Sequence, residues 1–123
     1  MGVLTGAGAL AATSHFSVPL QADGATLGAA TGVLDLAPAD NSRMSWTLRD
    51  GAFTPEKVPG TTVTWNDANL TGSGSAPSGE KAALKEFEVT VRQSSGVDVS
   101  FRFRLSATLT ADKATDVSIE QLP

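Results

Sequence analysis

The chain contains no cysteine and no tyrosine, and among its 123 residues there is a single histidine. The missing cysteine excludes a disulfide framework, a thiolate metal site and a cysteine nucleophile. One histidine, His15, cannot supply the histidine pair of a zinc site. A hydrolytic triad needs a nucleophile, a base and an orienting acid brought together. Ser14 and His15 are neighbours, so on a strand they point to opposite faces, and the chain has no Gly-x-Ser-x-Gly elbow. No apolar run approaches the ~18 residues that a spanning helix needs. Basic character is also scarce: the net charge is −4, a poor match for a phosphate backbone. No catalytic, cofactor-binding or metal-binding residue is therefore expected. The acids at Asp23, Asp35, Asp40, Asp50, Asp67, Asp98, Asp112 and Asp116 sit mostly in turns, where turn chemistry explains them, and the Asp40-Asn41 and Asp67/Asn69 positions lack calcium-loop spacing.

What is present is alternation with period two, the mark of half-buried strands. Seven segments show it: Phe16/Val18/Leu20, Val33 to Leu36, Met44/Trp46/Leu48, Val63/Trp65, Phe87/Val89/Val91, the long series Val97 to Leu109, and Val117/Ile119. Turn signals separate them at Ala22-Asp23-Gly24, Pro38 to Asn41, Asp50-Gly51, Pro59-Gly60 and Ser94-Ser95-Gly96. Pro19 places the first segment at a sheet edge or in an extended arm, because proline cannot donate to a ladder. The expectation is one all-β domain, residues 15–123, folded as an antiparallel sandwich or small barrel of about seven strands. Trp46, Trp65, Phe16, Phe87, Phe101 and Phe103 are the expected core aromatics. Residues 1–14 read as an extended Gly/Ala-rich arm; without Lys or Arg near Met1 they do not read as a secretion signal. Residues 67–83 read as one long Gly/Ser loop, with a helical turn over Glu80 to Lys85.

The segment from Lys85 to Leu109 specifies its own register. A three-residue loop Ser94-Ser95-Gly96, with Gly96 left-handed, sets Gln93 against Val97. Counting outward, Val91 then meets Val99, Val89 meets Phe101 and Phe87 meets Phe103. The other face sets Arg92 against Asp98, Glu88 against Arg102 and Glu86 against Arg104. Every charged pair is of opposite sign, whereas a slip of one residue puts Val89 opposite Arg102. Arg92, Arg102 and Arg104 therefore read as a neutralised, register-fixing face, and nucleic-acid binding is not expected from it.

Short, cysteine-poor, β-rich chains with extended arms resemble phage head-decoration and coat proteins in general type. More locally, Val89-Thr90-Val91-Arg92-Gln93-Ser94-Ser95 and the apolar/basic strand after it look like the central hairpin of small RNA-phage coat proteins. That likeness spans roughly 20 residues. The family follows its sheet with helices, whereas here Val117 to Ile119 reads as a strand. The resemblance implies a non-enzymatic virion structural protein, a capsid decoration or coat subunit. Its expected partners are copies of itself and a major capsid or other virion protein, with no membrane, no cofactor and a virion location. The alternative is an adhesion or carbohydrate-binding β-sandwich module.

Overall fold

The computed structural model describes residues 12–56, 61–66 and 70–123. Among them there are eight strands and no helix: β1 (Ala12–Ala22), β2 (Ala25–Asp40), β3 (Arg43–Pro55), β4 (Thr61–Trp65), β5 (Gly72–Pro77), β6 (Lys81–Gln93), β7 (Asp98–Leu109) and β8 (Ala114–Gln121). They form two antiparallel four-stranded sheets, in the order β1-β2-β3-β5 and β4-β6-β7-β8. The chain is thus an all-β sandwich, one of the two arrangements that its alternation implies. Each sheet is built from a three-strand meander plus one strand exchanged in the middle of the chain: β4 leaves for the second sheet and β5 returns to the first.

The inward faces carry the residues that the period-two pattern selects. Phe16, Leu20, Leu34, Leu36, Met44, Trp46 and Leu48 meet Phe87, Val89, Phe103, Leu105 and Leu109 in one cluster. Phe103 is fully buried, so this ring alone removes ~150–250 Å² from water. Phe53, Trp65, Phe87 and Phe103 make a continuous aromatic file across the core, with successive ring centroids 5.2, 5.3 and 5.6 Å apart. Phe101 is only half-buried, on the margin of the core.

One side of the sandwich is closed. The outer strands β1 and β8 lie against each other. Ser14 Oγ accepts from the Ala114 amide at 3.2 Å, and the Asp23 amide donates to Gln121 Oε1 at 2.9 Å. Pro19 does stand in an edge strand, and a register shift at Leu20/Gln21 bends that strand.

Several expectations require correction. The arm was expected to run to residue 14, yet Ala12, Thr13 and Ser14 already pair with β2; residues 1–11 lie outside the described residues. Asp50-Gly51 is not a turn but a bulge inside β3, with Asp50 at φ 56° and a register shift between Thr31 and Val33. Bulges and hairpin turns share Asp-Gly chemistry, because both need a left-handed residue. The helical turn over Glu80 to Lys85 is strand: β6 starts at Lys81 and absorbs Leu84 in a bulge. The segment 67–83 is not one loop, since it contains all of β5. The turn signal Pro59-Gly60 lies outside the described residues, as do Asp67 and Asn69.

The β5 assignment has a packing reason. Gly74 is the cross-strand partner of Trp46, and a Cβ built on Gly74 would stand 3.1–3.2 Å from the indole. Gly72 borders the same ring, at 3.6 Å. The glycines make room for a large side chain on the neighbouring strand, a use of glycine that resembles a flexible linker in composition alone. Gly32 does the same for Phe16 on the other flank of the sheet. Leu70, fully buried at φ 36°, anchors the entry to β5.

Candidate functional site: the open edge of the first sheet

The hairpin surface comes first, because its arginines are the most conspicuous charges. The β6–β7 register is the one that the sequence specifies, from Arg92↔Asp98 through Val89↔Phe101 to Glu86↔Arg104. At its tip the Gln93 amide donates to the Val97 carbonyl at 2.9 Å, and Gly96 adopts φ 88°. Arg92 grips Asp98 through two bonds of 2.8 and 3.0 Å. That contact holds the Asp98 carboxyl below the ordinary aspartate value. One detail differs. Arg102 faces Glu88 in register but bonds diagonally to Glu86, at 2.8 Å. Arg104 also reaches Glu86, at 3.3 Å, and approaches Glu120 at 3.7 Å. Strand twist brings diagonal neighbours within reach of long side chains, so the straight-across pairing is not obligatory. The arginines form a charge-matched patch.

Ser14 and His15 diverge. The Ser14 hydroxyl is engaged with the Ala114 backbone, and His15 is exposed on the opposite face of β1. On that outer face, Asp35 binds Arg49 at 2.6 Å and receives the Thr13 hydroxyl at 3.0 Å. The Arg49 hydrogen bond is the main reason that the Asp35 carboxyl lies below the ordinary aspartate value. Among the described residues no three His, Cys, Asp or Glu side chains cluster as a metal site. An open depression of about 510 Å³ lies at one end of the first sheet, lined by Pro19, Thr26, Gly28, Ala29, Thr54, Pro55 and Glu56.

The remaining feature is β5 itself. It is an edge strand, paired on one side only, with β3. The direction of its free groups follows from ladder geometry. The Ser78 amide donates to the Ser42 carbonyl at 2.8 Å, so Ser78 faces β3. Antiparallel ladders alternate, so Ala76, Gly74 and Gly72 also turn their amides and carbonyls toward β3. Pro77, Ser75 and Ser73 then point theirs outward. Two facts agree. Pro77 has no amide to lose there, and the Arg43 guanidinium caps the outward Ser75 carbonyl at 3.0 Å and its Oγ at 3.1 Å. Arg43 makes no ion pair among the described residues.

β5 is not the only such margin among the described residues: β4, at the edge of the second sheet, pairs on one side only, with β6, and its residues Thr61–Trp65 also lack charge and proline. Strands β1 and β8 cover each other. Sheet edges of natural proteins are commonly blunted by charge, proline or bulges. On β5 they are confined to one end, where Pro77 lacks an amide and Arg43 caps Ser75; from Gly72 to Gly74 the strand supplies neither charge nor proline. Arg43, Ser73 and Ser75 were not legible as a site. The available signal was the alternation of Gly72, Gly74 and Ala76 with Ser73 and Ser75, a strand pattern written in small residues.

No protein-family model matches the chain, and neither a curated protein nor a solved structure resembles it significantly.

Proposed function

We propose that this chain is a non-enzymatic structural subunit of a virion, a capsid decoration or coat protein that associates with copies of itself and with the shell. The observation that carries the reading is the β5 edge, whose Ser73 and Ser75 backbone groups face outward, with the deterrents to pairing confined to the Pro77 end, where Arg43 caps Ser75. An assembly subunit uses such an edge; a solitary domain is expected to blunt it. The general resemblance to phage decoration and coat proteins supplies the virion context. The matched arginine face leaves shell and self contacts, rather than nucleic acid, as the natural partners.

The test is mass in solution, alone and with assembled phage shells. Light scattering should show concentration-dependent self-association, and sedimentation should carry the chain down with shells. A chain that stays monomeric and remains in the supernatant would overturn the reading. The adhesion or carbohydrate-binding alternative draws on the depression beside Pro19, Pro55 and Glu56, where Thr26 and Thr54 add hydroxyls to the rim. Glycan-array binding lost on Glu56→Ala would favour it.

A further inference from the structure

We infer that self-association runs through β5 in one defined way: two copies pair β5 to β5, antiparallel, about a two-fold axis, and join their first sheets into one. The inference rests on the structural-subunit reading and adds the partner strand, its direction and its register.

A partner must supply outward amides and carbonyls at the same spacing, with side chains small enough to approach. A second β5 does both. Ser73 and Ser75 present the alternate backbone groups that an antiparallel neighbour needs, and each matches its own symmetry mate. Gly72, Gly74 and Ala76 on the inner face and Ser73 and Ser75 on the outer face keep the strand's own side chains small, leaving the Arg43 guanidinium on Ser75 as a bulky group that a partner must avoid. Gly74 is exposed although it lies on the core side of its strand, over Trp46; a second strand alongside would cover it.

Charge chooses among registers. Arg43 sits on Ser75, so an axis through Gly74 or Ser75 would bring two guanidiniums close together. An axis through Ser73 pairs Ser73 with its mate and Ser75 with the mate's Thr71. The two Arg43 groups are then roughly 14 Å apart, from the ~3.4 Å rise and ~4.8 Å strand spacing. That exceeds the ~8 Å screening length at physiological salt. Each Ser75 carbonyl can accept from Arg43 and from the mate's Thr71 amide through its two lone pairs.

The experiment is sedimentation equilibrium of the full chain and two variants, with near-UV circular dichroism to confirm the fold. Ser73→Pro deletes an amide that β3 does not use, so the fold tolerates it as edge strands tolerate proline. Ser73→Lys leaves the backbone intact and adds a charge beside its own mate on the axis. Each should weaken association by about tenfold or more, a loss of roughly 1.4 kcal/mol or greater. If the proline variant misfolds, the lysine variant decides. Association unchanged in a folded variant overturns the β5 pairing while leaving the structural-subunit reading standing. Association abolished by deleting residues 1–11 but not by either substitution assigns it to the arm instead. A wild-type chain that is monomeric at millimolar concentration overturns the pairing; only failure to bind shells as well overturns both.

Discussion

Replacing Gly28 with alanine should destabilise the fold more than any other exchange of glycine for alanine at a described position. Gly28 lies in β2 opposite Pro55, at φ 156°. A methyl there would overlap the Thr54 carbonyl oxygen and stand 2.9 Å from Pro55 Cα and 2.8 Å from Phe53 Cζ. The Phe53 ring can swing aside, but the carbonyl and the Pro55 Cα belong to the backbone. Relief therefore requires the end of β3 to move away from β2. Overpacking of this kind costs ~1–3 kcal/mol. The hydrogen bond from the Glu56 amide to the Leu27 carbonyl, 2.8 Å long, sits beside the displaced pair and adds ~0.5–1.5 kcal/mol if it breaks. The expected loss is about 2–4 kcal/mol, or on the order of 10 °C in Tm for a domain of this size. Gly24→Ala is the comparison. Gly24 has φ 83° but nothing within 4 Å, so it carries only the left-handed penalty of ~1–2 kcal/mol. Urea unfolding followed by tryptophan fluorescence measures both. A Gly28→Ala loss no larger than that of Gly24→Ala, or one rescued by Phe53→Leu, would refute the backbone-clash argument.

Phe103→Ala removes a fully buried ring stacked on Phe87 and should cost ~3–5 kcal/mol by the same urea titration; a loss under ~1 kcal/mol would mean that the core is not built around this file. The carboxyls of Asp35 and Asp98 are depressed in the folded state by Arg49 and Arg92, so their contribution is complete above the ordinary carboxylate range near pH ~4 and is lost as pH falls through the lowered values. Urea midpoints should accordingly drop on acidification below that range, and Arg49→Gln should make the drop shallower. Trp46 is buried beneath Gly72 and Gly74, so in a Trp65→Phe chain the remaining emission should be blue-shifted and resist acrylamide quenching; easy quenching would contradict β5 as the strand beside that indole.

The hairpin from β6 to β7 was readable because every constraint on it is local. Gly96 sets the turn, the turn sets the register, and a slip would put Val89 on one face with Arg102, and Phe101 on the other. The core aromatics were readable for the same reason, since period two alone separates Trp46 and Phe87 from Thr47 and Glu88. Phe53 and Leu70 were not, because neither sits in a visible alternation: Phe53 follows the Asp50-Gly51 bulge, and Leu70 stands alone before Gly72. The open edge was hidden for a related reason. Glycine and serine carry too little side chain for alternation to register as hydrophobic pattern, so a strand made of them reads as a linker.

By itself, then, the chain's alternation determines an all-β fold (sandwich or small barrel), its inward residues and one hairpin's register, because these depend on spacings of a few residues. Only the tertiary structure decided that β5 completes the first sheet, that β1 and β8 close one side, and that Arg102 turns to Glu86. Each depends on which distant strands become neighbours. Strand neighbourhood is set by how both sheets pack on the shared core, and no local spacing records it.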